Sequence, residues 1–91
     1  MMPIIELPAA LRPRAAGKAR LKVEGATVAQ ALESLCHAHP ELRPQLFTAA
    51  GQLKRTVGIF VGEDDVRSDE GLARALRADE LVVLIAAMAG G

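Results

Sequence analysis

A chain of 91 residues is long enough for one domain and too short for two. At that size it buries roughly 60–65% of the surface its unfolded form exposes, enough for one modest core and too little for a deep enclosed active site. Hydrophobic residues make up 51% of the chain but Phe47 and Phe60 are its only aromatics, so Leu, Val, Ile and Ala must build the core; eleven basic and eleven acidic side chains cancel, which gives no general attraction to nucleic acid or to an anionic membrane.

The first apolar segment, PIIEL, is short and β-branched and reads as a strand closed by Pro8. Pro13 and Gly17 then lie among small and basic residues, which predicts a hairpin-like loop. ARLKVEG alternates, with Leu21 and Val23 on one side and Lys22 and Glu24 on the other, the pattern of a second strand with one wet face. Gly25 ends it.

Thr27, with Gln30 three residues on, has the spacing of a capping box: the Thr hydroxyl accepts from the Gln30 amide while the Gln side chain reaches back to the Thr27 amide. Val28, Leu32 and Leu35 recur at helical spacing beside Ala31 and Cys36, and Pro40 stops the run, so a helix is expected over about Thr27 to His39. ELRPQLF predicts a short helical turn, and Gly51 marks a loop. TVGIFVG is a strand with Val57, Ile59 and Val61 on one face and Gly58 and Phe60 on the other. The acidic EDDVRSDEGL is rich in turn formers and leads, through a short helical turn around Leu72 to Leu76, into the last strand, LVVLI.

One domain therefore accounts for residues 1–91, with 86–91 expected as a flexible tail. An opening pair of strands, one main helix and further strands predict an α+β fold with that helix across one face of the sheet. The opposite face lacks a covering helix. Phe60, Leu81, Val83 and Ile85 should stand there if Val82 and Leu84 point toward the helix, leaving an apolar face available to a partner.

Two charge runs stand out. Arg12, Arg14, Lys18, Arg20 and Lys22 fall in a stretch without an acid, whereas Glu63 to Glu80 holds seven acids against Arg67, Arg74 and Arg77. The basic run reads as solvated surface. A single cysteine, Cys36, excludes an internal disulfide and fits a reducing cytoplasm. No apolar stretch behind a basic start opens the chain, and no run approaches the ~20 apolar residues of a membrane span, so a cytoplasmic location is expected.

Chemistry within the domain finds little support. Cys36, His37 and His39 sit close in sequence, but neighbouring helical residues diverge by ~100° each and cannot converge on one ion, so no metal site is expected. Glu63, Asp64, Asp65 and Asp69 lack the order of a calcium-binding loop. No phosphate-binding glycine motif precedes a helix, and no nucleophile is accompanied by a base. The chain is expected to bind no cofactor and to be no enzyme. Its end is different. AAMAGG puts an unhindered carboxylate at Gly91 behind residues small enough to pass a narrow channel. A nucleotide-activating enzyme overcomes the weak electrophilicity of such a carboxylate by making an acyl adenylate.

Taken together, TVAQALESL, HPELRPQLF, TVGIFVG followed by EDDVR, GLARAL, ADELVVLI and the terminal AGG resemble the ubiquitin-like β-grasp sulfur carriers, the group containing the small subunit of molybdopterin synthase and the thiamine-pathway carrier. ALRPRAAGKARLKVEG is similar to the carriers that serve cysteine biosynthesis. The resemblance implies a β-grasp fold with a mixed sheet of four to five strands. It implies that an ATP-using, ubiquitin-activating-like adenylyltransferase and sulfurtransferase converts the Gly91 carboxylate to a thiocarboxylate. The sulfur would pass to an acceptor like cysteine synthase or the large subunit of molybdopterin synthase. Met88, Ala89 and Gly90 would thread the partner's channel, and Phe60, Leu81, Val83 and Ile85 would dock it, with the acidic run as a contact for a basic activating enzyme. Two departures from the family pattern are Gly62, where Asn is common, and Ala86–Ala87, where Pro is common. Two other functions fit the same features: a protein modifier joined to lysines through Gly91, and an interaction module that uses the apolar face alone.

Overall fold

The computed structural model describes residues 2–66 and 69–86. Five strands form one mixed sheet: β1 (Ile4–Glu6), β2 (Arg20–Lys22), β3 (Val57–Val61), β4 (Asp64–Asp65) and β5 (Leu81–Ala86), in the order β2-β1-β5-β3-β4. The first and last strands pair in parallel, Ile5 opposite Val82, and every other pair is antiparallel. The strand that leads to the end of the chain is thus the middle strand of the sheet. The α+β, β-grasp expectation holds.

Period-two patterning decides which face turns inward. Val57, Ile59 and Val61 are buried while Gly58 and Phe60 between them are half-buried, and Val82 and Leu84 are buried between the half-buried Leu81 and Val83. Across this inner face lies α1 (Val28–Ala38), whose Val28, Ala31, Leu32, Leu35 and Cys36 are buried at helical spacing. Leu11, Leu42, Leu46, Val66 and Leu76 complete the core from the connections, and among the described residues no polar or charged side chain is buried within it. Each fully buried Leu, Ile or Val contributes roughly 1.5–3 kcal/mol of transfer free energy.

The helix cap departs from the expected one by one residue. The Thr27 hydroxyl accepts from the Gln30 N–H at 3.2 Å, but the Gln30 side chain accepts from the N–H of Ala26, at 2.8 Å, rather than from Thr27. The cause is tertiary. Residues 26–28 pair with 74–76: the Leu76 N–H donates to the Ala26 carbonyl at 2.8 Å and the Val28 N–H to the Arg74 carbonyl at 3.0 Å, which holds Thr27 extended and turns the Ala26 N–H toward the helix. The same pairing occupies the backbone of Arg74 to Leu76. The helical turn expected at Leu72 to Leu76 accordingly lies earlier, as α2′s successor in the chain: α2 is Arg43–Leu46 and α3 is Asp69–Leu72.

Two further segments differ from expectation. The loop predicted around Pro13 and Gly17 contains a 3-10 helix, Ala9–Ala15, because Leu11 and Ala15, four apart, both reach the core. In the acidic segment, Asp64–Asp65 forms the short edge strand β4, with Asp65 opposite Phe60. Gly62 makes the intervening turn at φ 62°, a left-handed conformation open to Gly and Asn and closed to most other residues. Gly in place of the family's frequent Asn therefore preserves the turn. Ala86, expected to open the tail, is the last residue of β5 and stands opposite Val57; the rest of that tail lies outside the described residues.

Candidate functional site

The outer face of the sheet carries an apolar patch centred on β3 and β5. Register sets its rows. One row runs Arg20, Glu6, Val83, Phe60, Asp65 across all five strands; a second runs Lys22, Ile4, Leu81; a third holds Ile85 opposite Gly58. Phe60, Leu81 and Val83 are half-buried and Ile85 is 47% exposed. The structure therefore brings all four residues singled out in the sequence onto one face, with Ile85 the most open to a partner.

Gly58 shapes this patch by having no side chain. A Cβ added there would lie 3.6 Å from Ile85 Cβ and 3.9 Å from Phe60 Cε1, so the glycine leaves a shallow hollow between these two residues. Ile4 and Glu6 also belong to the face. They were not legible in the sequence, because only the parallel pairing of β1 with β5 sets them beside Leu81 and Val83.

Ion pairs border the patch. Arg20 meets Glu6 at 2.9 Å, and Lys22 meets Asp79 at 3.2 Å. At the β3–β4 edge, in the row of the buried Val61 rather than that of Phe60, Arg74 donates to Asp64 at 2.6 Å and to the Val61 carbonyl at 3.3 Å, with Glu80 at 3.8 Å from its other terminal nitrogen. Asp64, Asp79 and Glu80 are thus partly neutralised within the domain, as are Arg20 and Lys22 of the basic run. Such exposed pairs contribute little to stability and leave a polar rim around an apolar centre.

The remaining candidates fall elsewhere. Cys36 is buried in α1, and burial raises its thiol pKa, which keeps it protonated and unreactive. His37 is exposed and His39 half-buried near the end of α1; among the described residues no group of three or more His, Cys, Asp and Glu is placed to hold a metal ion. Met88, Ala89, Gly90 and Gly91 lie outside the described residues. Their point of departure is set: β5 delivers the chain from the middle of the sheet, with Ile85 on the outer face at its end. Among the described residues no helix is long and apolar enough to cross a membrane.

Comparison with known proteins agrees with this architecture. The sulfur carrier protein CysO of Mycobacterium tuberculosis is 30% identical over 89 residues, which cover 96% of each chain. A chain of the Amycolatopsis orientalis BexX/CysO complex superposes with a TM-score of 0.83 at 25% identity, over 98% of this chain and 99% of that one. SAMP1 of Haloferax volcanii superposes with a TM-score of 0.85 at 26% identity over the full length of both. The ThiS family pattern matches residues 5–91, from the second residue of β1 through the final glycine. On that match the chain belongs to the ThiS family, the ubiquitin-like β-grasp sulfur carriers.

Proposed function

We propose that this sulfur carrier works through the carboxylate of Gly91. An activating enzyme uses ATP to adenylate the carboxylate, with loss of pyrophosphate. Hydrosulfide then displaces AMP at the acyl carbon to give a thiocarboxylate, whose sulfur passes to the acceptor enzyme's substrate and whose acyl group returns to the carboxylate on hydrolysis. The chain supplies no catalytic group; it supplies a terminus and a surface. Met88, Ala89 and Gly90 thread the partner's channel, and Ala89 and Gly90 provide clearance there, since Ala and Gly carry little or no side chain at the two positions next to Gly91. The observation that carries this reading is the family match extending through Gly90 and Gly91.

Phe60, Leu81, Val83 and Ile85 dock the activating enzyme. Their support is an apolar centre within a polar rim, at the end of the strand that leads to the reacting terminus. ATP belongs to that enzyme rather than to this chain. The BexX/CysO complex, by its name, shows a CysO in assembly with another protein, which supports partnership of this kind here. Of the pathways open to such carriers, the CysO relatives favour cysteine biosynthesis and a cysteine synthase-like acceptor. Intact-mass measurement after incubation with ATP, a sulfur source and the activating enzyme tests the proposal. An oxygen-to-sulfur mass gain located on the C-terminal peptide is expected; its absence with a demonstrably active enzyme overturns the reading.

A further inference from the structure

A second surface lies between α2 and the turn that follows it. Pro40, Arg43, Pro44, Phe47, Ala49 and Lys54 line an open groove of 530 Å³. Its position follows from local pairing. Phe47 pairs with Leu53 around a turn closed by the Gly51 N–H to the Thr48 carbonyl at 2.9 Å, and the Lys54 N–H donates to the Leu46 carbonyl at 2.9 Å, so α2 and Lys54 form opposite banks. The Val57 N–H then donates to the Lys54 carbonyl at 3.1 Å, and Val57 stands opposite Ala86. The backbone of Lys54, on one bank of the groove, is thus tied to the strand residue that pairs with Ala86.

Its chemistry is one-sided. The floor is apolar, from two prolines and the half-buried Phe47, and its charged groups are the cations Arg43 and Lys54, with no carboxylate among the described lining residues. Arg43 is held by a fork to Glu33 on α1, 2.7 and 3.3 Å, from outside the groove. Lys54 is half-buried and, among the described residues, has no carboxylate partner. A lysine without a carboxylate partner among the described residues, lining the same groove as an aromatic ring and two prolines, favours a ligand that supplies both negative charge and an apolar side chain. An open groove suits a chain segment better than an enclosed small molecule.

We infer that this groove docks an acidic segment of a protein partner, with an apolar side chain over Phe47 and Pro44 and a carboxylate on Lys54. In the sulfur-carrier reading, on which only this placement rests, an enzyme acting on Gly91 would hold the domain at this groove as well as at the outer face.

The test is an amide chemical-shift titration of the full chain with a synthetic peptide carrying a central leucine between glutamates, and with its glutamine counterpart. Shifts confined to Arg43, Phe47, Ala49 and Lys54 are expected, with affinity lowered about fivefold in the glutamine peptide and in Lys54→Gln, as for loss of one partly exposed charge pair. Equal affinity of the two peptides, an unchanged affinity in Lys54→Gln, or shifts centred on Phe60 and Ile85 would overturn the inference. So would groove shifts, without peptide, on truncation after Ala86, which would make the chain's own end the occupant, or on dilution, which would make it a second copy. None of these readouts depends on thiocarboxylate formation, so the inference and the proposed function fail separately.

Discussion

Ala86 stands opposite Val57, the first residue of β3, so the chain runs out from the centre of the sheet and not from an edge. Strands on both sides of β5 anchor its course. Ala86, the last described residue, is therefore held at a fixed place relative to the outer face and Ile85.

Deleting Gly91 should abolish sulfur loading and leave the fold intact. Every buried apolar side chain among the described residues lies at or before Leu84, so the core does not depend on the last residue. Thermal denaturation of the shortened chain should agree with that of the full chain to within about 0.5 kcal/mol, while mass spectrometry should detect no thiocarboxylate. A loaded product from the shortened chain would move the chemistry elsewhere.

Ile85→Asp should separate docking from folding. Ile85 is 47% exposed and Gly58 opposite it leaves room, so the substitution costs about 1 kcal/mol or less in stability. Placing a carboxylate on the most exposed side chain of the apolar patch should raise the carrier concentration for half-maximal activation about tenfold or more, as at a hot spot. Unchanged activation kinetics would remove this face from the docking surface.

The turn between β3 and β4 makes a conformational prediction. At φ 62°, Gly62→Asn should alter stability by no more than about 0.5 kcal/mol, whereas Gly62→Val should cost about 1–2 kcal/mol through backbone strain, since nothing lies within 4 Å of an added Cβ to cause a clash. Chemical denaturation of the two variants distinguishes strain from crowding.

Glu33 carries a pH signature. Its hydrogen bonds from Arg43, and the guanidinium charge, hold its pKa below the ordinary 4.5. A depressed carboxylate stabilises the fold above its unfolded pKa, and that contribution disappears as pH falls through the lower folded value. Arg43→Gln should return the Glu33 titration, followed by carboxyl NMR, toward 4.5 and flatten the fall in stability on the acid side. A titration unmoved by this substitution would show the pair open in solution.

What the sequence determined by itself is the local periodicity of its strands and helix. The alternation of Val57, Ile59 and Val61, the helical spacing of Val28, Leu32 and Leu35, and the Thr27 cap are dictated by side chains a few residues apart, and all three are found in place. Phe60, Leu81, Val83 and Ile85 were assignable to one face by the same parity. The tertiary structure decided what depends on partners distant in sequence. The parallel pairing of β1 with β5 adds Ile4 and Glu6 to the outer face, and the pairing of residues 26–28 with 74–76 moves the Gln30 contact to Ala26 and replaces an expected helical turn. Likewise, Lys54 lines the same groove as Phe47 and Arg43 only because the chain folds back through Leu53. Backbone hydrogen bonds between distant segments carry no signature in side-chain spacing, so this part of the site becomes legible only when the sheet is assembled.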